Sequence, residues 1–218
     1  MEKIRTLNSY VAIEVPYITK NKIDFLGGTL EIAQTDHMRE KDMAVSYGKI
    51  VAVPLTNTDI HNHKVDADLD IKEGDMAFFD KMLSSRYGRL AGMAEKDTFN
   101  LLFEEDGRKV IMIPSRAIIM VKRGEKYIAQ NDYIVGTLVD IPKHEFEIHE
   151  QKHRDRLRVV SAGKNVVYQM AQKLDTRFEL IEGEVAIAGS PVVMPISDEY
   201  EKHGLYRLKI RQIIGKVE

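Results

Sequence analysis

The 218-residue sequence contains no cysteine and no tryptophan, and it has only 6 prolines. The absence of cysteine excludes disulfide bonds, thiolate metal ligands and cysteine nucleophiles. The formal net charge is -2, so the chain lacks the basic excess that is typical of nucleic-acid-binding proteins. It also lacks a run of about 18 apolar residues, which a membrane-spanning helix needs, and an apolar signal-peptide region. We therefore expect a folded cytoplasmic protein that does not insert into a membrane.

Short apolar runs, rich in Val and Ile and separated by turn residues, predict a mainly β protein. Helical signals are few: residues 80–90 are compatible with one turn and residues 166–174 with a short helix. Six short strands are enough to close a small barrel. The six strands expected in the first half are residues 10–15, 50–53, 76–79, 101–103, 110–113 and 118–121.

The second half of the sequence repeats the first half in order. Residues 8–15 are echoed by 131–138, residues 50–53 by 159–162, and residues 71–78 by 180–187. In the last two matches the two copies are the same number of residues apart along the chain. The run 110–119 has a further counterpart in residues 206–214. We therefore predict two related domains, residues 1–124 and 125–218, joined at the charged, glycine-containing seam 123–126.

Five stretches of the first half carry a resemblance to a known family. They are an opening strand (10–15), a Gly-Gly pair (27–28), a return strand (48–53), the run IKEGDMAFF (71–79) followed by Tyr87-Gly88, and two closing strands within 109–121. Together they resemble the GroES-type co-chaperonins, small β-barrel subunits whose rings cap a chaperonin chamber. The second half matches mainly through its similarity to the first. The resemblance implies two tandem GroES-like small β-barrels with long loops.

In that family a mobile loop after the first strand docks onto the chaperonin, and residues 17–47 occupy its position. The resemblance implies that Gly27 and Gly28 provide a hinge and that Leu30 and Ile32 form the docking tip. Glu31 departs from the family, which usually has an aliphatic residue there. Residues 29–32 are equally compatible with an ordinary half-buried hairpin strand.

The second half has a charged segment, residues 142–149, at the position of that loop. Phe146 and Ile148 are its candidate tip residues. The alternative is an edge strand whose charges discourage unwanted pairing.

Two glycine turns are expected to be structural. Gly74 permits the positive φ of a tight turn, and Asp75 can cap that turn through its carboxylate. Gly183, between Glu182 and Glu184, is the equivalent turn of the second half.

Motifs for catalysis, metal binding or cofactor binding are not found in the sequence. The spacing of His61 and His63, followed by Asp66, Asp68 and Asp70, matches no known arrangement of metal ligands, and we interpret this segment as a polar loop. We interpret the segment that contains His144, His149 and His153 as an exposed charged surface. The sequence has no phosphate-binding loop and no nucleophile elbow. Medium-chain alcohol dehydrogenases share the GroES fold, but their cysteine ligands and cofactor fingerprint are absent. We expect a non-enzymatic protein without a cofactor or metal.

Three functional hypotheses follow. The first is a co-chaperonin-like lid, a homo-oligomeric ring that docks on a chaperonin. The second is a structural assembly protein, for example a phage particle component located in the host cytoplasm or the virion; Glu31 and the charged second loop favour it. The third is a nucleic-acid-binding barrel using Arg154, Arg156, Arg158 and Lys164, but no aromatic residues are interleaved there for base stacking.

Both leading hypotheses require self-association. The closing strands, residues 118–121 and 213–217, are expected to be exposed edges that pair with a neighbouring copy.

Overall fold

The computed structural model describes residues 4–6, 9–16, 22–25, 28–31, 45–55, 69–84, 101–105, 108–140, 152–163, 180–189, 194–196 and 204–217. This part of the chain is mainly β, and it contains short 3₁₀ turns but no α-helix. The strands are β1 (Tyr10–Val15), β2 (Lys22–Phe25), β3 (Gly28–Glu31), β4 (Tyr47–Ala52), β5 (Met76–Phe79), β6 (Leu101–Glu105), β7 (Arg108–Pro114), β8 (Ile118–Arg123), β9 (Lys126–Ala129), β10 (Tyr133–Asp140), β11 (Lys152–Ala162), β12 (Val185–Ala188), β13 (Met194–Pro195), β14 (Leu205–Lys209) and β15 (Ile213–Val217).

The chain divides into two compact units. The first unit comprises Met1–Asn62 and Lys72–Ala117, and the second comprises His63–Ile71 and Ile118–Glu218. The sequence-based domain boundary between residues 124 and 125 remains a prediction, because a repeat boundary in a sequence and a division in space are different properties.

Each unit contains antiparallel strands in an equivalent order. In the first unit the order is β6, β7, β1, β4, β5. In the second it is β13, β14, β10, β11, β12, β15. The second sheet ends in β13 and β15, which do not pair with each other, and no sheet in the described residues closes into a barrel. The predicted small barrels are therefore not confirmed.

The strand register is also equivalent in the two units. Strand β1 pairs with β4 through Ala12 opposite Ala52 and Ile13 opposite Ile50, with a bulge between the two pairs. Strand β10 pairs with β11 through Val135 opposite Ser161 and Gly136 opposite Val159, with a bulge at the same place. The next pairs match as well, since Tyr47 lies opposite Phe78 and Arg156 opposite Ile187. The repeat noted in the sequence therefore corresponds to a repeated pairing scheme.

The glycine turn before β5 fixes that strand against β4. Gly74 has a φ of +92°. Its N–H donates to the Ile50 carbonyl at 2.8 Å, and the Ile50 N–H donates to the Asp75 carbonyl at 2.8 Å. The Asp75 carboxylate accepts from the Lys72 N–H at 2.9 Å, which closes the turn from inside. The Asp75 side chain thus accepts from the N–H of the residue three positions earlier and holds the turn closed.

The turn at Gly183 in the second unit has the equivalent hydrogen bonds. Gly183 has a φ of +95°. Its N–H donates to the Val159 carbonyl, and the Val159 N–H donates to the Glu184 carbonyl, both at 2.8 Å. The Glu184 carboxylate accepts from the Ile181 N–H at 2.8 Å. A longer acidic side chain thus closes the same turn.

Alternating apolar side chains on the strands build the core of the second unit. Its fully or nearly buried cluster is Ile134, Leu157, Val159, Leu180, Ala186, Ala188, Leu208 and Ile210. Leu157 and Ala186 lie directly opposite each other on β11 and β12. Burying each large aliphatic side chain contributes about 1.5–3 kcal/mol, so this cluster accounts for much of the unit's stability.

The structure differs from the sequence analysis at the predicted edge strand 118–121 and at the predicted helical turn in residues 80–90. Residues 118–121 are not an exposed edge: Ile118, Ile119, Met120 and Val121 are all 0% exposed. Part of the helical signal at residues 80–90 corresponds to a 3₁₀ turn at Lys81–Ser84. The signal at residues 166–174 lies outside the described residues.

Gly136→Ala tests the close approach of β10 and β11. A Cβ at this position would lie 2.0 Å from the Arg158 carbonyl oxygen, which is backbone and can move only with its strand. We expect the free energy of unfolding to fall by about 1–3 kcal/mol, measured by urea denaturation. Gly215→Ala is the control, because nothing lies within 4 Å of its Cβ position. Equal effects of the two substitutions would contradict this assignment.

Candidate functional site

The strand β15 forms one edge of the second sheet and presents apolar side chains to solvent. It pairs with β12, with Val185 opposite Val217 and Ile187 opposite Gly215, and the register shifts at Ala188. Ile214 is 75% exposed and Val217 is 49% exposed. An edge strand that offers both backbone hydrogen-bonding groups and apolar side chains is suited to pairing with another chain.

The opposite edge of this sheet is much less suited to pairing. Strand β13 has two residues, and one of them is Pro195. Proline has no N–H to donate, and a two-residue strand gives few backbone hydrogen bonds. Met194 is 50% exposed, so exposure alone does not distinguish the edges. Strand length and backbone donors make β15 the candidate interface.

Strand β8 is the equivalent of β15 in the first repeat, and it is covered by another strand. Each of the two strands follows a 3₁₀ turn, Ser115–Ala117 before β8 and Ile210–Gln212 before β15. Ile119 of β8 is 0% exposed, whereas the equivalent Ile214 is 75% exposed. Strand β9 pairs antiparallel with β8, and it has no counterpart beside β15 among the described residues.

A lysine on β15 faces the interior of the second unit. Lys216 lies opposite Ala186 of the core cluster. Its Nζ donates to Glu184 Oε1 at 2.6 Å, and the exposed fractions of the two side chains are 17% and 11%. An inward-pointing charge is one device by which edge strands avoid indiscriminate pairing. The ion pair also ties β15 to the glycine turn before β12.

The pKa of Glu184 lies below its ordinary value of 4.5. Desolvation by burial is the largest single influence and raises this pKa. The hydrogen bond from Lys216, the hydrogen bond from the Ile181 N–H and the charge of Lys216 together outweigh it. Glu184 is therefore held as a carboxylate by both the turn and the edge strand.

The predicted docking residues fall only partly within the described structure. Strand β3 pairs with β2 as a two-stranded hairpin, in which Gly28 lies opposite Phe25 and Leu30 opposite Ile23. Gly27 and Ile32 lie outside the described residues, as do Phe146 and Ile148. Gly74, Asp75 and Gly183 belong to the two turns described above.

The polar segments considered as ligand sites also fall mainly outside the described residues. His61, His63, Asp66 and Asp68 are among those outside. Asp70 is described, and its carboxylate accepts from Arg123 Nη1 at 3.0 Å. Within the described ranges no three acidic or histidine side chains gather as a metal site. No helix of the described chain is long and apolar enough to cross a membrane.

Of the four basic residues considered for nucleic-acid binding, Arg156 and Arg158 are described with their side chains, on β11. Arg158 Nη1 donates to the Gly183 carbonyl at 3.2 Å, so this arginine braces the second glycine turn.

Sequence reasoning missed the pairing of β9 with β8. The sequence analysis places a seam at residues 123–126 and assigns no strand to residues 126–129. The signal that distinguishes it is the Arg123–Lys126 turn, where Gly124 has a φ of +59° and permits a tight hairpin.

Comparison of the chain with protein-family models and with curated proteins gives no match.

Replacing the carboxylate in Glu184→Gln tests the link between the turn and β15. Because the pKa of Glu184 is lowered in the folded state, ionised Glu184 stabilises the fold at neutral pH. This contribution is lost as the pH falls through the lowered pKa, below about 4.5. We expect the variant to melt at a lower temperature than the original protein at neutral pH, and the gap to shrink in acid.

Glu182→Gln is the control for this experiment, because Glu182 is an exposed residue of the same turn. A gap between Glu184→Gln and the original protein that does not change with pH would contradict the assigned role.

Proposed function

We propose that this protein is a non-enzymatic, co-chaperonin-like lid, which assembles from several copies into a ring and docks on a chaperonin in the cytoplasm. The observation that carries the proposal is made on the described residues: the two units share one strand-pairing scheme, and strand β15 is an edge with exposed apolar side chains. In this proposal each unit is a divergent GroES-like domain, as the run around Gly74 suggests.

Assembly into a ring needs a contact that repeats between identical copies of the chain. A contact between two different surfaces of identical chains is heterologous, and it gives a closed ring when the rotation closes. The edge β15 can serve as one of the two surfaces. A ring then presents its docking segments many times, so weak individual contacts add up to firm binding.

The hairpin of β2 and β3 lies within residues 17–47, the proposed docking loop. Strand β3 pairs with β2. Residue alternation in an extended segment predicts from the sequence that Leu30 and Ile32 lie on one side. Burying each of these side chains in a chaperonin groove would contribute about 1.5–3 kcal/mol. This supports a small apolar tip as the docking element.

A structural assembly protein, for example a phage particle component, is the second candidate. The regular pairing of β3 with β2 favours it, because this is the pairing expected of an ordinary structural hairpin. In this second proposal the copies still associate through β15, but they do not bind a chaperonin.

The double substitution Leu30→Ala/Ile32→Ala distinguishes the two candidates. If the residues form a docking tip, co-sedimentation with a purified chaperonin is expected to fall by at least about tenfold, since about 1.4 kcal/mol corresponds to a factor of ten. The thermal midpoint is expected to stay unchanged. Thr29→Ala/Glu31→Ala is the matched control, because it alters the alternate positions of the same segment and is expected to leave binding intact.

A lower thermal midpoint of the Leu30→Ala/Ile32→Ala variant would show that the residues pack within their own unit. Each such large-to-small change in a core costs about 2–5 kcal/mol. That result, together with no chaperonin binding by the original protein, would replace the lid with the structural candidate.

A further inference from the structure

Two arginines of β11 lie on the face of the second sheet that is turned away from its core. Leu157 and Val159 of this strand belong to the buried cluster of the second unit. Successive residues of a strand point to opposite faces of the sheet, so Arg156 and Arg158 lie on the other face. Arg158 is exposed, and Arg156 is partly exposed. We refer to this surface as the outer face of the second sheet.

Two further basic residues lie on the outer face, on β14. Leu208 belongs to the buried cluster, so its neighbours Arg207 and Lys209 point the other way. Arg207 lies opposite Val135 and Lys209 opposite Tyr133. Lys209 Nζ lies 4.8 Å from the centre of the Tyr133 ring, a cation–π contact that holds the ammonium group on this face. The two β11 arginines thus share the face with basic residues that are distant in the sequence.

Uncharged residues lie beside the two arginines. Arg158 lies between Thr137 of β10 and Val185 of β12. Arg156 lies opposite Ile187 of β12. None of these neighbouring positions on the described strands is Asp or Glu. The outer face therefore carries charge of one sign, although the whole chain has a net charge of -2.

The equivalent face of the first unit has a balanced charge. By the matched registers, Glu14 and Lys49 are the counterparts of Thr137 and Arg158. Glu14 lies opposite Lys49, and its Oε2 accepts from Arg108 Nη2 at 2.7 Å. The charge of Lys49 thus faces a carboxylate, whereas the charge of Arg158 faces a neutral threonine.

Strands β7 and β14 differ in the same way. Pro114 of β7 is the counterpart of Lys209, because they pair with equivalent positions of β1 and β10. Met112 of β7 is the counterpart of Arg207 by the same register. Since the first unit builds the same strand pairing without these basic residues, the fold does not require the charge of the outer face.

We propose that the outer face of the second sheet binds the phosphate backbone of a nucleic acid without reading its bases. Arginine is suited to this role, because its planar guanidinium group matches two oxygens of a phosphate. Arg156 Nε is buried and makes no hydrogen bond with the described residues. Lys209 Nζ already covers the ring of Tyr133, so this aromatic residue serves the charge of the face rather than base stacking. The inference goes beyond the proposed lid and does not depend on it.

Thr137→Glu tests the charge of the outer face, because it places a carboxylate opposite Arg158 as Glu14 lies opposite Lys49. The first unit shows that this strand pairing accommodates a glutamate there. The probe is a labelled single-stranded DNA of mixed sequence, and fluorescence anisotropy gives the dissociation constant at several salt concentrations. We expect Thr137→Glu to bind severalfold more weakly than the original protein. Thr137→Gln is the matched uncharged control and is expected to bind like the original protein.

Arg156→Gln/Arg158→Gln removes two of the proposed phosphate contacts. For a single strand, the slope of log binding constant against log salt changes by about 0.7 for each contact, so we expect a slope smaller by about 1.4. Lys72→Gln/Lys126→Gln removes the same charge from exposed positions elsewhere and is expected to keep the slope. Because Arg158 also donates to the Gly183 carbonyl, the thermal midpoint is measured for each variant. Thr137→Glu retains that donor, so it tests the face even if the double variant unfolds.

The absence of DNA binding by the original protein at low salt would overturn the inference. Equal effects of Thr137→Glu and Thr137→Gln, or an equal change of slope in the lysine control, would also overturn it. Competition by polyglutamate that matches unlabelled DNA of equal charge would assign the face to an acidic protein instead. Co-sedimentation with a chaperonin separates this inference from the proposed function. Chaperonin binding without DNA binding overturns the nucleic-acid contact alone, and DNA binding without chaperonin binding removes the lid alone.

Discussion

A glycine turn closed by an acidic side chain sets the register of the central strands in both units. The positive φ of Gly74 and of Gly183 lets the chain reverse within hydrogen-bonding distance of the preceding strand, at Ile50 and at Val159. Once this register is fixed, Ala186 and Ala188 of β12 are buried in alternation, while Ala77, Phe78 and Phe79 of β5 are all fully buried. A β-bulge then occurs at the same position in the pairing of β1 with β4 and in the pairing of β10 with β11, so the next strands of the two sheets have equivalent registers. Without these turns the apolar faces of neighbouring strands would not coincide.

The same architecture leaves the two closing strands in different situations. Strand β8 pairs with β9, and Ile119 of β8 is fully buried. Strand β15 is the last strand of its sheet, and Ile214 stays exposed. Lys216 and Glu184 hold this edge in place and put a charge on its inner side. An inward-pointing charge on an edge strand discourages indiscriminate pairing.

The sequence is informative where a backbone conformation needs a particular residue. The glycines at 74 and 183 and the acidic residues after them could be read directly, because few residues adopt a positive φ. Strands with Val and Ile runs, such as β1 and β7, could be read from the sequence, whereas β9 could not. Burial of residues 118–121 could not, because the same apolar run suits an exposed edge or a covered strand, and the difference depends on β9. Sheet closure likewise depends on contacts distant in sequence. The proposal that Leu30 and Ile32 are docking residues comes from a family resemblance, which concerns other proteins and not contacts within this chain.

The central proposal is that copies of the chain associate through β15. The native mass of the protein in solution, obtained by mass spectrometry under non-denaturing conditions, tests it most directly. The account predicts a closed oligomer whose mass is a whole multiple of the 24.9 kDa chain, and dissociation of that oligomer by Ile214→Lys without loss of the fold. A single 24.9 kDa species at micromolar concentration would contradict the account.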